Sequence, residues 1–157
     1  MLKSELREIE NLRKNLPFNL KTRDVAEILS IRNNQVYNLI YQNKITAKKV
    51  SGTWIIFRDI FLLKILKKRK EEILMQNTNF SEDFEYDFEK ITEYCVEQSL
   101  KELDFTLTAA DLIDKLRLSR TKIYEMLETG EIPAKKLGGR WHIPKAKFIS
   151  WLYSDFN

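Results

Sequence analysis

The sequence predicts a mainly α-helical protein with small β-hairpins, in which one unit is used twice. Three observations carry this. Residues 20–66 align with residues 107–153 at a constant offset of 87 without a gap, and about a quarter of the aligned positions are identical. Within each copy the apolar spacing changes in the same order, from helix to helix to two short extended segments and back to helix. The charge is also partitioned: 16 Lys/Arg against 6 Asp/Glu over residues 1–70, 2 against 11 over 71–104, and 9 against 6 over 105–157. Two basic modules flanking an acidic connector are the electrostatic footprint of a polyanion binder.

A chain of 157 residues fits one ordinary domain or two small ones, and the repeat decides for two. A unit of about 50 residues has a marginal core, so flanking helices are expected to cover its apolar face. The expected boundaries are an N-terminal helix over 1–17, a first module with an extended last helix over 18–75, an acidic helical connector over 76–104, and a second module over 105–157. No apolar run reaches the roughly 18 residues of a membrane span, and the segment MLKSELREIENL lacks a signal-peptide core. The single cysteine, Cys95, excludes an internal disulfide framework, so a cytoplasmic, nucleoid-associated protein with no membrane contact is expected.

Taken in order, Leu2, Leu6, Ile9, Leu12 and Leu16 recur at spacings of three and four, which is an amphipathic helix stopped near Pro17. Its stripe serves either as a brace for the first core or as a dimer seam. In each repeat a helical segment then runs from Asp24 to Leu29 or from Asp111 to Leu116. A break follows at Ser30-Ile31-Arg32 or Arg117-Leu118-Ser119. Ser119 suits the N-cap of the next helix, Arg120 to Thr129, whose inward residues are Ile123, Met126 and Leu127. That helix ends at Gly130, or at Asn43 in the first copy, the two residue types that best tolerate a left-handed C-terminal position. TAKKV-SG-TWIIF and PAKKL-GG-RWHIP are strand pairs around two-residue turns with positive φ. A last helix follows, with Pro144 expected in its first turn. Helix, turn, helix, hairpin, helix is a winged helix-turn-helix, here as two tandem modules.

Between the modules, one long helix is expected from Arg58 to Met75, broken at Gln76-Asn77-Thr78-Asn79. An acidic amphipathic helix over 82–103 follows, with Ser81 as its cap and Phe84, Phe88, Ile91, Cys95, Leu100 and Leu103 on one face. It is expected as a spacer, a dimer surface, or an acidic element that folds back on the basic faces. The run Lys67-Lys68-Arg69-Lys70 meets either the helix dipole or a phosphate.

The second copy carries LTAADL, then LSRTKIY, then GEIPAKKLGGRWHIP, and over about 47 residues it resembles the excisionase-type, MerR-like helix-turn-helix family. The resemblance implies a winged helix-turn-helix that binds duplex DNA, with its second helix in the major groove and its wing at the backbone or adjacent minor groove. The first copy inherits this mainly through the repeat. It departs from the pattern where Arg32 replaces the capping serine, Thr46 and Phe57 replace prolines, and Thr53 replaces the wing arginine. Those departures bear on its wing contact more than on its fold.

The groove-facing side chains support the same chemistry independently. In the second copy they are Arg120, Thr121, Tyr124, Glu125 and Glu128, with Lys122 on the flank. Arg120 suits bidentate pairing with guanine and Lys122 a phosphate, whereas the two glutamates repel a phosphate-lined groove. In the first copy they are Asn33, Asn34, Tyr37, Asn38 and Tyr41, with Gln35 beside them, amide side chains that suit adenine edges. Lys48, Lys49, Lys135 and Lys136 are the wing phosphate candidates, and Arg140 the minor-groove candidate. Lysines on such strands also protect exposed sheet edges. Trp54 and Trp141 read as packing anchors, while Tyr37 and Tyr124 either donate to phosphate or cover the core.

His142 and Cys95 lie in different elements without further ligands, so neither a metal nor a cofactor is expected. The chain has no glycine-rich phosphate loop and no nucleophile-histidine spacing, so no enzyme is expected. The expected function is sequence-specific binding of double-stranded DNA, as a transcription regulator or as an excisionase-like recombination directionality factor of a bacterium or mobile element. Recognition helices about 34 Å apart would address half-sites one helical turn apart. Homodimerisation through the N-terminal or acidic helix, and an integrase or the transcription machinery, are the expected protein contacts. The alternative is a protein-docking adaptor in which one or both modules no longer bind DNA.

Overall fold

A computed structural model of the chain describes residues 3–65 and 88–154. After α1 (Lys3–Asn15) come β1 (Asn19–Leu20), α2 (Thr22–Leu29), α3 (Asn33–Tyr41), β2 (Ala47–Val50), β3 (Thr53–Phe57) and a helix α4 over 58–65. Then follow α5 (Phe88–Glu102), β4 (Thr106–Leu107), α6 (Ala109–Leu116), α7 (Arg120–Glu128), β5 (Lys135–Leu137), β6 (Arg140–Pro144) and α8 (Lys145–Leu152). From β1 to β3 every element recurs 87 residues later, with only β2 one residue longer than its counterpart, and α4 begins at 58 as α8 begins at Lys145. The two small antiparallel sheets have the same order, β1-β3-β2 and β4-β6-β5. Their registers also match, with Leu20 opposite Ile56 and Lys49 opposite Trp54 in one, Leu107 opposite Ile143 and Lys136 opposite Trp141 in the other.

Local chemistry explains these boundaries. Ser119 Oγ accepts from the Lys122 amide at 3.4 Å, and Ile123, Met126 and Leu127 are buried as their spacing requires. Arg32 lacks a capping oxygen, so the cap is reversed there: Gln35 Oε1 accepts from the Arg32 amide at 2.9 Å. Asn43 and Gly130 are left-handed, at φ 55° and 77°. Both turn residues of each hairpin have positive φ, 46° and 77° at Ser51-Gly52 and 56° and 77° at Gly138-Gly139, the twist a two-residue hairpin needs.

Two local details differ from expectation. The breaks after α2 and α6 turn on left-handed Ser30 and Arg117, φ 53° and 54°, neither a glycine nor an asparagine. Pro144 closes β6 and is the N-cap of α8, one position before the first turn; its φ of −60° fits a cap, and its missing N–H costs nothing at that end of the strand.

The packing departs further from two independent modules. Leu20, Val25, Val36, Ile40, Ala47, Ile56 and Phe61 form the first unit's own core. Six others of its apolar side chains, Phe18, Val50, Ile55, Phe57, Ile60 and Leu63, join the second unit's core of Leu107, Leu112, Ile123, Met126, Ile143, Phe148 and Leu152. Strand alternation does this: β3 sends Ile56 into its own unit and Ile55 and Phe57 toward the other. Each such buried side chain contributes about 1.5–3 kcal/mol.

The described part of the acidic connector is not a spacer. In α5, Cys95, Ser99 and Leu103 are buried, with Tyr94, Val96 and Leu100 packed beside the same core. Burial pushes the Cys95 thiol pKa up. Ser99 Oγ lies 3.0 Å from the Tyr153 hydroxyl, and that ring stacks on Phe57 at 5.1 Å. Lys145 Nζ donates to the carbonyls of Leu100 and Leu103 at 2.9 and 3.4 Å, tying the end of α5 to the start of α8.

A charged network joins α1, α4 and α5. Arg58, 3% exposed, meets Asp59 at 2.9 Å and Glu102 at 2.5 Å and donates to the Leu16 carbonyl at 3.3 Å. Arg13 reaches Asp59 at 2.9 Å and Glu102 at 2.8 Å. With Leu16 packed on the first core, the end of α1 therefore acts as a brace. The Lys67–Lys70 run, the interhelical break and the start of the acidic helix lie outside the described residues.

Candidate nucleic-acid interface

In the second unit the turn after α6 sets α7 against the core through Ile123, Met126 and Leu127, leaving Arg120, Thr121, Glu125 and Glu128 exposed. Tyr124 is half-buried and the Arg120 guanidinium lies 5.3 Å above its ring. The phenol thus covers core and supports the arginine at once. The adjoining hairpin presents Lys135, Lys136, Leu137 and Arg140, all exposed. Lys136 rests over Trp141 at 5.3 Å, as Lys49 rests over Trp54 at 5.7 Å. Both indoles pack on their own unit's core, as their alternation predicts.

In the first unit α3 exposes Asn33, Asn34, Gln35, Tyr37 and Asn38. Gln35 carries the reversed cap, so its carbonyl oxygen is already engaged. Tyr37 and Tyr41 line a groove of about 310 Å³ together with Lys49, Thr53 and Trp54 of the hairpin and Lys21 before α2. Lys21 was not singled out by the sequence. Its place ahead of α2, where four amides lack helical partners, is the signal that would have found it.

Two of the expected phosphate contacts are placed elsewhere. Lys48 is turned into the contact between the units, where Nζ donates to the carbonyls of Trp151 at 2.5 Å and Ser154 at 3.1 Å and to Ser154 Oγ at 3.1 Å. It also lies 4.6 Å from the Trp151 ring. The last carbonyls of α8 have no partner within the helix and carry its negative dipole end, so a cation there satisfies both. Lys122 likewise donates to the Ser51 carbonyl at 2.9 Å and to Thr53 Oγ1 at 3.2 Å, pinning the first hairpin's tip to the first turn of α7. Arg117 pairs with Asp24, and Asn19 Nδ2 donates to the Lys115 carbonyl at 3.1 Å.

The outward set that remains is Asn33, Asn34, Tyr37, Asn38 and Lys49 in the first unit, and Arg120, Thr121, Lys135, Lys136 and Arg140 in the second. Cations and amides dominate it, opposed by Glu125 and Glu128. Among the described residues no three His, Cys, Asp or Glu side chains converge to hold a metal, and no helix is long and apolar enough to cross a membrane.

Residues 106–154, from β4 to just past the end of α8, match the protein family described as a helix-turn-helix domain. That supports a DNA-binding helix-turn-helix over this segment, which includes the motifs quoted from the second copy. No curated protein and no solved structure matches the chain.

Proposed function

We propose that the chain is a non-enzymatic, sequence-specific binder of double-stranded DNA, with two tandem winged helix-turn-helix modules of the excisionase and MerR-like type. The observation that carries this reading is the family-matched unit itself, where exposed Arg120 and Thr121 stand at the start of α7 beside a hairpin bearing exposed Lys135, Lys136 and Arg140. For the first unit, support comes from the one-for-one recurrence of its elements and registers and from the carboxylate-free amide face of α3. Asn33, Asn34 and Asn38 suit adenine edges and Arg120 a guanine, while Lys49, Lys135 and Lys136 suit phosphates.

The biological role is transcription regulation or control of recombination direction in the cytoplasm of a bacterium or on a mobile element, with the transcription machinery or an integrase as the protein partner. The outward face of α5, with Glu93 and Glu97, is a surface for such a partner or for a second copy. A protein-docking role for α7 is favoured by one observation, the exposed Glu125 and Glu128 at its C-terminal half.

Selection of duplexes from a random pool, followed by footprinting, tests the reading. An enriched consensus protected by the chain supports it. A pool that stays unenriched while the same chain captures protein partners supports the docking role.

A further inference from the structure

We infer that the two units read half-sites in the same orientation along the duplex, a direct-repeat geometry, and not the two arms of a palindrome. The inference rests on DNA binding by both units as proposed above. B-DNA offers two copies of one reader only two equivalent placements: one related by a dyad across the helix axis, the other by a screw along it. A dyad makes the contact between the readers isologous, so that every contact occurs twice with the roles exchanged; a screw makes it head-to-tail. The 87-residue offset names the exchanged partner of each contact made within the repeat, so the arrangement can be tested there residue by residue.

Among the described residues, four such contacts are not returned. Val50 of the first hairpin is fully buried in the shared core, whereas its counterpart Leu137 is 59% exposed. Lys48 is seated on the end of α8, whereas its counterpart Lys135 lies on a strand exposed throughout. Asp24 accepts from Arg117, but the exchanged pair would be Asp111 with Ser30, which carries no guanidinium; Asp111 makes the cap bond from the Thr108 amide at 2.7 Å that Asp24 also makes from the Lys21 amide. Lys122 holds the first hairpin's tip, but its counterpart Gln35 accepts from the Arg32 amide. The first unit therefore contributes its hairpin, the start of α2 and Ile60 and Leu63 of α4, and the second contributes its α6–α7 corner and the end of α8. That is a head-to-tail contact. It also fixes the order of elements, because the first hairpin borders a groove with α3 on one side and is pinned to the first turn of α7 at its tip. Read along the duplex, the series is α3, first hairpin, α7, second hairpin. The core that fixes it is apolar and buried, so the orientation is built into the chain and not left to a tether.

The test uses the full chain and a selected duplex in which Asn34→Ala and Arg120→Ala have located the two subsites by the bases at which each loses discrimination. One subsite is then inverted in place at constant centre-to-centre distance, and affinity is measured against the parent duplex. The inference expects affinity to fall about tenfold or more, as loss of even one matched base contact would produce. Equal or tighter binding of the inverted duplex, or a selected consensus with a dyad between the two subsites, overturns the orientation while leaving DNA binding intact. Failure to bind any duplex overturns the proposed function, and the orientation with it.

Discussion

Val50 and Leu137 hold the same place in the two hairpins, the last residue of the first strand, yet Val50 is fully buried and Leu137 is 59% exposed. The difference comes from the second unit, which covers the first unit's hairpin and leaves its own bare. Charge placed at the two positions should therefore behave oppositely. Val50→Asp is expected to cost more than about 3 kcal/mol in chemical denaturation, because it buries an unpaired carboxylate. Leu137→Asp is expected to stay within about 0.5 kcal/mol. Equal losses would contradict the packing of the first hairpin against the second unit.

Lys48 and Lys49 are adjacent but should separate into stability and binding. Lys48→Ala removes a partner of the α8 carbonyls and is expected to cost about 1–2 kcal/mol of stability with little change in the salt dependence of DNA affinity. Lys49→Ala, Lys135→Ala and Lys136→Ala are each expected to leave stability nearly unchanged and to lower the salt slope by about 1. Thermal melting and salt titration of the four variants distinguish the two roles.

Arg120→Ala is expected to lose about 1–3 kcal/mol of affinity at a single base position. A loss spread evenly over all sequences would make Arg120 a phosphate contact. Binding of duplexes substituted one position at a time decides between these.

The Glu102 carboxyl is held below its ordinary value of 4.5: burial alone would raise it, but the hydrogen bond from Arg58 and the charges of Arg58, Arg13 and Lys115 outweigh that. A depressed carboxylate stabilises the fold fully above its unfolded pKa, and the contribution is lost as pH falls through the folded value. Acid unfolding should therefore steepen below about pH 4.5. Glu102→Gln is expected to cost about 1–3 kcal/mol at neutral pH and to flatten that acid limb. An unchanged acid limb in denaturant titrations from about pH 3 to about pH 7 would contradict a role for this pair.

Much of the fold was legible because local chemistry dictates it. Gly130 and Asn43 end helices, Ser119 starts one, Ser51-Gly52 and Gly138-Gly139 close hairpins, and each needs only its neighbours to act. The contact between the units was not legible, because Lys48 carries the same side chain whether it meets a phosphate or the end of a helix. One signal was present. The strand TWIIF is apolar on both faces, where RWHIP places His142 and Pro144 opposite the positions of Ile55 and Phe57 in the alignment. A strand apolar on both faces is covered on both faces. The copy's departures at Thr53 and Phe57 are then packing choices, since Thr53 receives Lys122 and Phe57 stacks on Tyr153. Arg13, Arg58, Asp59 and Glu102 come from three separated segments, and no spacing within any one of them announces their meeting.

The most direct test of the central claim is the affinity of the full chain for a selected duplex, measured across a salt series from about 50 to 200 mM. With several Lys and Arg contacts to phosphate, the account predicts a linear fall of log affinity with log salt, less steep when Lys49, Lys135 and Lys136 are replaced together. No measurable duplex binding at about 50 mM salt, where phosphate contacts are strongest, would contradict it.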